Sequence, residues 1–158
     1  MRLDKINQNI LSLLQSNARI TNQALADQVH LSPSSCLNRV KKLEDLGLIG
    51  PYIGVVNLDK ACRSVMAIIT VNLKDQSTEG FDIFLNCAKS IPELTECYTV
   101  SGSFDMFLRV AAADMLRFNK IVDQLLDIIP GRVNLNSHIV LSTDKPFRGY
   151  ALHSLLQD

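Results

Sequence analysis

The sequence predicts an α+β fold in which three short helices come first and a strand–helix–strand unit then occurs twice. Two observations indicate this order. Apolar residues recur at helical spacing through residues 3–49, and short apolar strands alternate with helical stretches from residue 65 onward. With 158 residues, 47% hydrophobic and 20% charged, the chain has the size and composition of one globular domain or two small ones.

The first two predicted helices are marked by capping residues. Asp4 is placed to cap a helix whose apolar positions are Leu3, Ile6, Ile10, Leu13 and Leu14. Thr21 is placed to cap a shorter helix that carries Ala24, Leu25 and Val29. His30 and Leu31 then form the predicted turn to a third helix.

The third predicted helix, within residues 31–49, has both ends marked and two different sides. Ser32 is its predicted N-cap, Pro33 takes the first helical position, and Gly47 ends it. The apolar side comprises Cys36, Leu37, Val40, Leu43 and Leu46. The polar side, with the arginine at its boundary, carries Ser34, Ser35, Asn38, Arg39, Lys41 and Lys42.

This polar side suits a helix that enters the major groove of DNA. Short hydrogen-bonding side chains in the first turns can reach base edges, and cations further along can hold phosphates. The three helices therefore predict a helix-turn-helix. The alternative at this point is a three-helix bundle whose third helix has an ordinary solvated side.

The segment after the third helix predicts a wing and a linker. Residues 48–56 are apolar and are interrupted by Gly and Pro, which favours a small hairpin or wing. Residues 57–64 are polar and are the predicted linker. The predicted domains are therefore a DNA-binding domain over 1–56 and a second domain over 65–158. Because the wing has no Lys or Arg, phosphate contacts fall to the third helix.

The second domain is predicted to be a ferredoxin-like βαββαβ sandwich. Its strands are predicted at 65–73, 95–101, 106–112 and 135–141. One helix lies within each repeat, ended by Pro92 or Pro130, and Asp114 is placed to cap the second. Met66 and Ile68 make the helix-free face of the sheet apolar as well, so we expect a second copy of the domain to cover it. Residues 148–156 are predicted to form a terminal amphipathic helix.

The loop between the two middle strands is the second candidate site. Gly102 permits unusual backbone geometry and Asp105 places a carboxylate at the start of an apolar strand. A loop of this kind fits the carboxylate and ammonium of an amino acid, but an ordinary hairpin turn explains it too. Arg109 lies in mid-strand and needs a partner, which we expect to be Asp105, four residues away on the same strand face.

Other residue types point away from catalysis, metal binding and membranes. The four cysteines, at 36, 62, 87 and 97, form no metal-ligand spacing and are expected to be mostly buried free thiols. His30, His138 and His153 lie far apart in sequence, and no Ser or Cys stands out as a nucleophile beside any of them. No apolar run approaches the ~20 residues that a membrane span needs, and the N-terminal segment is amphipathic, so we expect a cytoplasmic protein with no membrane partner.

The charge distribution predicts that several copies act together on DNA. The chain has no net charge, but residues 1–60 carry seven Lys and Arg against five Asp and Glu. Phosphate contacts dominate the affinity of proteins for DNA, so one such weakly basic unit would bind poorly. We therefore expect a dimer or a larger assembly that presents several recognition helices.

Residues 3–49 resemble, end to end, the helix-turn-helix of the Lrp/AsnC (feast/famine) transcriptional regulators, with LSPSSCLNRVKKLE as the most specific piece. The remainder, with PELTECYTVSGSFDMFLRV and a later IPG, resembles the effector-binding and oligomerisation (RAM) domain of that family. The resemblance covers nearly the whole chain. It implies a winged helix-turn-helix joined to a RAM domain, dimers that pair through their sheets, assembly into octamers, and a small amino acid bound at the dimer–dimer contact.

The resemblance also implies which residues meet the effector. Gly102, Ser103 and Asp105 fall on the family's effector loop. The chain departs from the pattern at three further positions of that neighbourhood: Met106 where an aromatic residue is common, and Leu135 and Ser137 where two threonines are common. The lost hydroxyls favour an apolar effector, such as a branched-chain amino acid or methionine, over asparagine. An altered or absent response is the other outcome.

The function predicted from all of this is a sequence-specific, nucleoid-associated transcriptional regulator that responds to a small amino acid and needs no cofactor. One alternative is an effector-independent nucleoid-architectural protein. Another is a tetrapyrrole decarboxylase of related fold, for which His138 and Arg109 would be the candidate residues.

Overall fold

The computed structural model describes residues 3–74, 77–129 and 131–156. The chain forms two compact units. Unit 1 combines the residues up to Val55 with the segment from Lys145 onward, and unit 2 runs from Val56 to Asp144. In the described ranges, no helix has the length and apolar character needed to cross a membrane.

Unit 1 contains the three predicted helices and one further helical turn. They are α1 (Lys5–Ser16), α2 (Asn22–Gln28), α3 (Pro33–Asp45) and, at the end of the chain, α7 (Leu152–Leu155). Each predicted cap is confirmed, because Asp4, Thr21 and Ser32 each accept a hydrogen bond from the backbone N–H three residues ahead. The core of this unit comprises Ile10, Leu14, Leu25, Ala26, Val29, Cys36 and Leu43.

The turn between α2 and α3 is built on a left-handed residue. His30 has φ +56°, the N–H of Leu31 donates to the Ala26 carbonyl, and the His30 N–H donates to Asp27. The same pattern of two backbone hydrogen bonds ends α3, where Gly47 has φ +67°. Glycine is the usual residue at such a helix end, so His30 holds a conformation that is costly for a side chain with a Cβ.

The structure corrects three expectations in this unit. Leu37 and Leu46 were expected on the buried side of α3 but are 42% and 48% exposed. The predicted hairpin does not form, since residues 48–56, all of which are described, contain no strand. An isolated hairpin is marginally stable, and Pro51 lacks the N–H that a ladder requires. The apolar residues Ile53 and Val55 are consequently 80% and 93% exposed.

The segment from Lys145 onward belongs to unit 1 rather than to the second domain in which the sequence placed it. Only one turn of the expected helix over 148–156 forms. The side chain of Gln15 on α1 holds the segment at Tyr150 by two bonds of 2.7 Å, with Nε2 donating to the Tyr150 carbonyl and Oε1 accepting from its N–H. We call residues 145–156 the C-terminal strap.

Unit 2 is the predicted ferredoxin-like sandwich. The helices and strands of unit 2 are α4 (Leu58–Ala61), β1 (Val65–Leu73), α5 (Thr78–Lys89), β2 (Leu94–Thr99), β3 (Met106–Ala112), α6 (Met115–Asp127) and β4 (Val133–Ile139). The strands pair antiparallel in the order β2-β3-β1-β4. The strand bounds at β1 and β3 are as predicted, whereas β2 and β4 begin one and two residues earlier. Pro130 lies outside the described residues.

One face of this sheet packs on α5 and α6. Alternate residues of β1 and β3 are buried there with Phe84, Ile121 and Leu125 from the helices, and the strand residues are Ala67, Ile69, Val71, Leu73, Met106, Leu108, Val110 and Ala112. On the opposite face, the described side chains are partly or fully exposed. It carries half-buried apolar residues on the central strands and polar residues on β4, so it is more mixed than the sequence predicted.

The cysteine prediction is wrong for two of the four residues. Cys36 is buried in the core of unit 1 and Cys97 is half-buried, and burial raises the pKa of both thiols. Cys62 and Cys87 are exposed. Cys62 follows the short α4 in the polar linker region, and Cys87 lies on the outward side of α5.

Candidate nucleic-acid interface and loop site

The polar side of α3 is presented to solvent. Along it lie the predicted base-reading and phosphate-binding groups, and all five are exposed: Ser34, Ser35, Asn38, Lys41 and Lys42. The first turn is held by Ser32, whose Oγ accepts from the Ser35 N–H at 3.3 Å and donates to the Ser35 hydroxyl at 2.9 Å. The start of the polar side is therefore capped by hydroxyl groups of the same turn.

The turn that precedes α3 is tied to α2. The Asn22 side-chain amide donates to the Pro33 carbonyl at 2.8 Å, so the first turn of each helix is fixed to the other. Leu25, Ala26 and Val29 bury the contact between the two helices. This rigid pair is what a recognition helix needs, because base contacts require the helix to keep one orientation.

Arg39 differs from the other predicted DNA-binding residues. Its Nη1 donates to Asp4 Oδ2 at 2.7 Å and to Asn7 Oδ1 at 3.0 Å, so the guanidinium is engaged with α1. Asp4 was predicted only as a cap, and no local signal indicated that a residue 35 positions away would pair with it. The hydrogen bond and charge of Arg39 hold the pKa of the Asp4 carboxyl below its usual value.

The loop between β2 and β3 is closed by its own backbone. The N–H of Val100 donates to the Asp105 carbonyl at 3.0 Å, and Gly102 between them has φ +128°, a conformation that favours glycine. Gly102 and Ser103 are exposed at the tip of the loop. Among the residues that the structure describes, no atom lies within 4 Å of the place that a Cβ at Gly102 would take.

Asp105 ties this loop to the end of β1. Its N–H donates to the Val71 carbonyl and its Oδ2 accepts from the Leu73 N–H, both at 2.8 Å. The expected pairing of Asp105 with Arg109 is therefore wrong. Arg109 instead donates from Nη1 to Oε1 of Glu96 at 2.9 Å, because Glu96 stands directly opposite it in the β2–β3 register.

The other three predicted effector residues lie on the strands next to the loop, Met106 on β3 and Leu135 and Ser137 on β4. Met106 and Leu135 are the register partners of Val71 on its two sides, and all three face the helices. Met106 has no exposed surface, so its side chain belongs to the core and is not available at the surface of the chain. Ser137 is exposed on β4, opposite Ile69.

The candidate residues for tetrapyrrole chemistry do not gather into a site. His138 and Arg109 are the register partners of Ile68 on its two sides, so they lie on the helix-free face but about two strand spacings, ~10 Å, apart. Arg109 is paired with Glu96. Within the described residues, no three His, Cys, Asp or Glu side chains are grouped so that they could hold a metal ion.

An ordered helix-turn-helix with a polar third helix, joined to a ferredoxin-like unit with a closed glycine loop, defines a class of DNA-binding regulators that carry a ligand-binding domain. Family models agree with both parts. Residues 3–49 match a winged helix-turn-helix DNA-binding model, and residues 66–150 match the Lrp/AsnC ligand-binding domain.

Known proteins agree with this class over the whole chain. The leucine-responsive regulatory protein of Escherichia coli is 33% identical over 143 residues, which cover 90% of this chain and 87% of that protein. A transcriptional regulator of Neisseria meningitidis, solved as a complex with L-Met, is 32% identical with a TM-score of 0.87, covering 97% of this chain and 99% of that one. Escherichia coli AsnC, 23% identical, shares the fold with a TM-score of 0.80 over 94% of this chain and 100% of that one.

This chain belongs to the Lrp/AsnC family of transcriptional regulators. It has the DNA-binding domain of that family, followed by the amino-acid-binding domain of that family. The Escherichia coli relative is a regulatory protein, and the Neisseria meningitidis relative is a transcriptional regulator.

Proposed function

We propose that the chain is a sequence-specific transcriptional regulator whose DNA binding responds to a small, apolar amino acid. The observation that carries the DNA-binding part is the accessible polar side of α3 on a rigid helix pair. Ser34, Ser35 and Asn38 read base edges, and Lys41 and Lys42 contact phosphates.

A mobility-shift assay on DNA from upstream of the chain's own gene tests this function. Asn38→Ala is expected to weaken binding to that fragment by about 5- to 150-fold, the equivalent of ~1–3 kcal/mol for one base contact, with little change on unrelated DNA. Gln23→Ala, an exposed change on α2, is the matched control and is expected to bind as the unaltered chain does. Equal affinity for all fragments would contradict sequence-specific reading.

We place the effector beside the loop at residues 100–105. The open space at Gly102, the neighbouring Ser103 and the carboxylate of Asp105 support this placement. One carboxylate oxygen accepts from Leu73, which leaves Oδ1 to face an ammonium group. Leu135 and Ser137 border the site from β4 in this proposal, and Met106 supports it from below. The L-Met complex of the Neisseria meningitidis relative supports an apolar amino acid.

Calorimetry against single amino acids, with leucine and methionine first, tests the effector site. Binding near one molecule per subunit is expected, and Asp105→Asn is expected to weaken it at least tenfold. Asparagine keeps an oxygen that can accept from Leu73, so this variant removes the charge with little effect on the sheet. Asp82→Asn on the exposed side of α5 is the control. If no amino acid binds, the effector-independent architectural function replaces this proposal.

We propose that a second copy covers the helix-free face of the sheet, and that such dimers assemble further, with the effector at the contact between dimers. The half-buried Met66, Ile68 and Phe107 on the central strands support this pairing, because water contacts them in a single chain. Light scattering after size exclusion tests it. Ile68→Lys is expected to shift the mass towards the monomer, whereas Lys120→Ala on α6 is expected not to. A wild-type chain that stays monomeric at all concentrations would contradict the pairing.

A further inference from the structure

The guanidinium of Arg39 turns away from the polar side of α3 and closes a ring with the first turn of α1. Arg39 Nη1 donates to Asp4 Oδ2 at 2.7 Å and to Asn7 Oδ1 at 3.0 Å. Asp4 Oδ1 in turn accepts from the Asn7 backbone N–H at 2.7 Å. Each of the three residues thus contacts the other two. The carboxylate of Asp4 caps α1 with one oxygen and accepts from Arg39 with the other.

In the part of the chain that the structure describes, this ring is the polar contact that joins α3 to α1. Beneath it the two helices meet through buried apolar residues, including Ile10 on α1 and Leu43 on α3. Apolar packing is non-directional, whereas a guanidinium that is hydrogen-bonded to two fixed acceptors allows only a narrow range of positions. The ring therefore narrows the range of orientations that α3 can take against α1.

The ring also removes Arg39 from the positive charge offered to DNA. Both hydrogens of Nη1 are used within the unit, and the Asp4 carboxylate beside it offsets the charge. Only 34% of the Arg39 side chain is exposed. Lys41 and Lys42, by contrast, lie on the exposed side of the helix.

We propose that Arg39 is a positioning residue for DNA recognition and not a phosphate ligand. It holds α3 in the orientation in which Ser34 and Asn38 reach the bases, while Lys41 and Lys42 carry the phosphate contacts. This inference rests on the proposed DNA-binding function and revises one residue role within it.

Asp4→Asn separates the two roles because they predict opposite results. Asparagine is as good an N-cap as aspartate, so the cap of α1 is kept while the charge that holds Arg39 is lost. If Arg39 were a phosphate ligand restrained by Asp4, its release would tighten binding to every duplex. A positioning role predicts weaker binding to the preferred sequence instead, because α3 is no longer held.

The probes are a duplex selected from a random pool by the unaltered chain and a scrambled duplex of equal composition. Binding is measured across a range of salt concentrations. We expect Asp4→Asn and Arg39→Gln each to lower affinity for the selected duplex at least fivefold, to leave the scrambled duplex within twofold, and to leave the salt slope unchanged. Lys42→Ala is expected to reduce the slope by about 0.9, the value for one phosphate that is no longer neutralised.

Two further measurements keep the result decisive. The double variant Asp4→Asn/Arg39→Gln is expected to behave as either single variant, because both changes break one ring. Asn7→Ala removes an acceptor without changing any charge and is expected to act in the same direction. Tighter binding of Asp4→Asn, or a lower salt slope for Arg39→Gln, would overturn the positioning role. An unaltered chain that selects no duplex would instead overturn the proposed function.

Discussion

Replacing Gly149 with alanine tests the attachment of the C-terminal strap to α1. A Cβ at this position would fall on Cδ and Cγ of Gln15, closer than real Cβ atoms approach other atoms. Gln15 cannot move aside freely, because the same side chain makes both hydrogen bonds to Tyr150. Gly149 also has φ +111°, which residues with a Cβ rarely adopt.

The size of the effect follows from the backbone strain and the broken hydrogen bonds. The positive φ costs alanine about 1–2 kcal/mol. The two hydrogen bonds are exposed and contribute together about 1 kcal/mol, which is lost when Gln15 is displaced. Gly149→Ala should therefore favour release of the strap by about 2–3 kcal/mol, or roughly 30- to 150-fold in the opening equilibrium.

Hydrogen exchange at the Tyr150 amide measures this opening directly, because that N–H donates to Gln15. Exchange should be faster by the stated factor in Gly149→Ala. Gln15→Ala should raise it only about fivefold, and adding Gln15→Ala to Gly149→Ala should change nothing further, since the bonds are already broken. Unchanged exchange in Gly149→Ala would refute this attachment of the strap.

Three further predictions concern stability and are checked by thermal or urea unfolding. His30→Gly should raise the free energy of unfolding by about 0.5–1 kcal/mol, because glycine adopts the left-handed turn without strain, and a lower midpoint would contradict this. Leu108→Ala in the core of unit 2 should cost about 2–5 kcal/mol, whereas Leu126→Ala, 38% exposed, should cost clearly less. The folded state lowers the pKa of Asp4, so its contribution is fully present above about pH 4 and is lost as the pH falls towards the lowered value. The difference in free energy of unfolding between the unaltered chain and Asp4→Asn, below about 1 kcal/mol for this exposed pair, should therefore shrink at acid pH. A difference that stays constant from about pH 6 to about pH 2 would contradict the assignment.

Local signals were sufficient for most of the fold. The caps at Asp4, Ser32 and Asp114 act within three residues of themselves, so the sequence around each shows what it does. Strand β1, with its alternating burial, was likewise located to the residue. These features depend on short-range sterics and hydrogen bonding, which a single sequence displays.

Features set by distant partners were not visible in the sequence. The N-terminal bound of β4 depends on Val133 standing opposite Leu73, and the partner of Arg109 depends on the register of β2. The orientation of Met106 into the core follows from the same sheet geometry. In the candidate site, the polar side of α3 could be predicted from periodicity, but the capture of Arg39 by Asp4 needed two helices already packed together.

The C-terminal strap makes unit 2 an insertion within unit 1, because the chain leaves unit 1 near Val55 and re-enters it at Lys145. A fragment that stops at the linker therefore lacks one part of unit 1 and leaves Gln15 without Tyr150. A protease cut in the linker alone would leave both pieces of unit 1 to associate without a covalent link. An affinity tag fused after the strap, like one fused ahead of α1, would be attached to the unit that holds the recognition helix, so it should be removed before DNA-binding measurements.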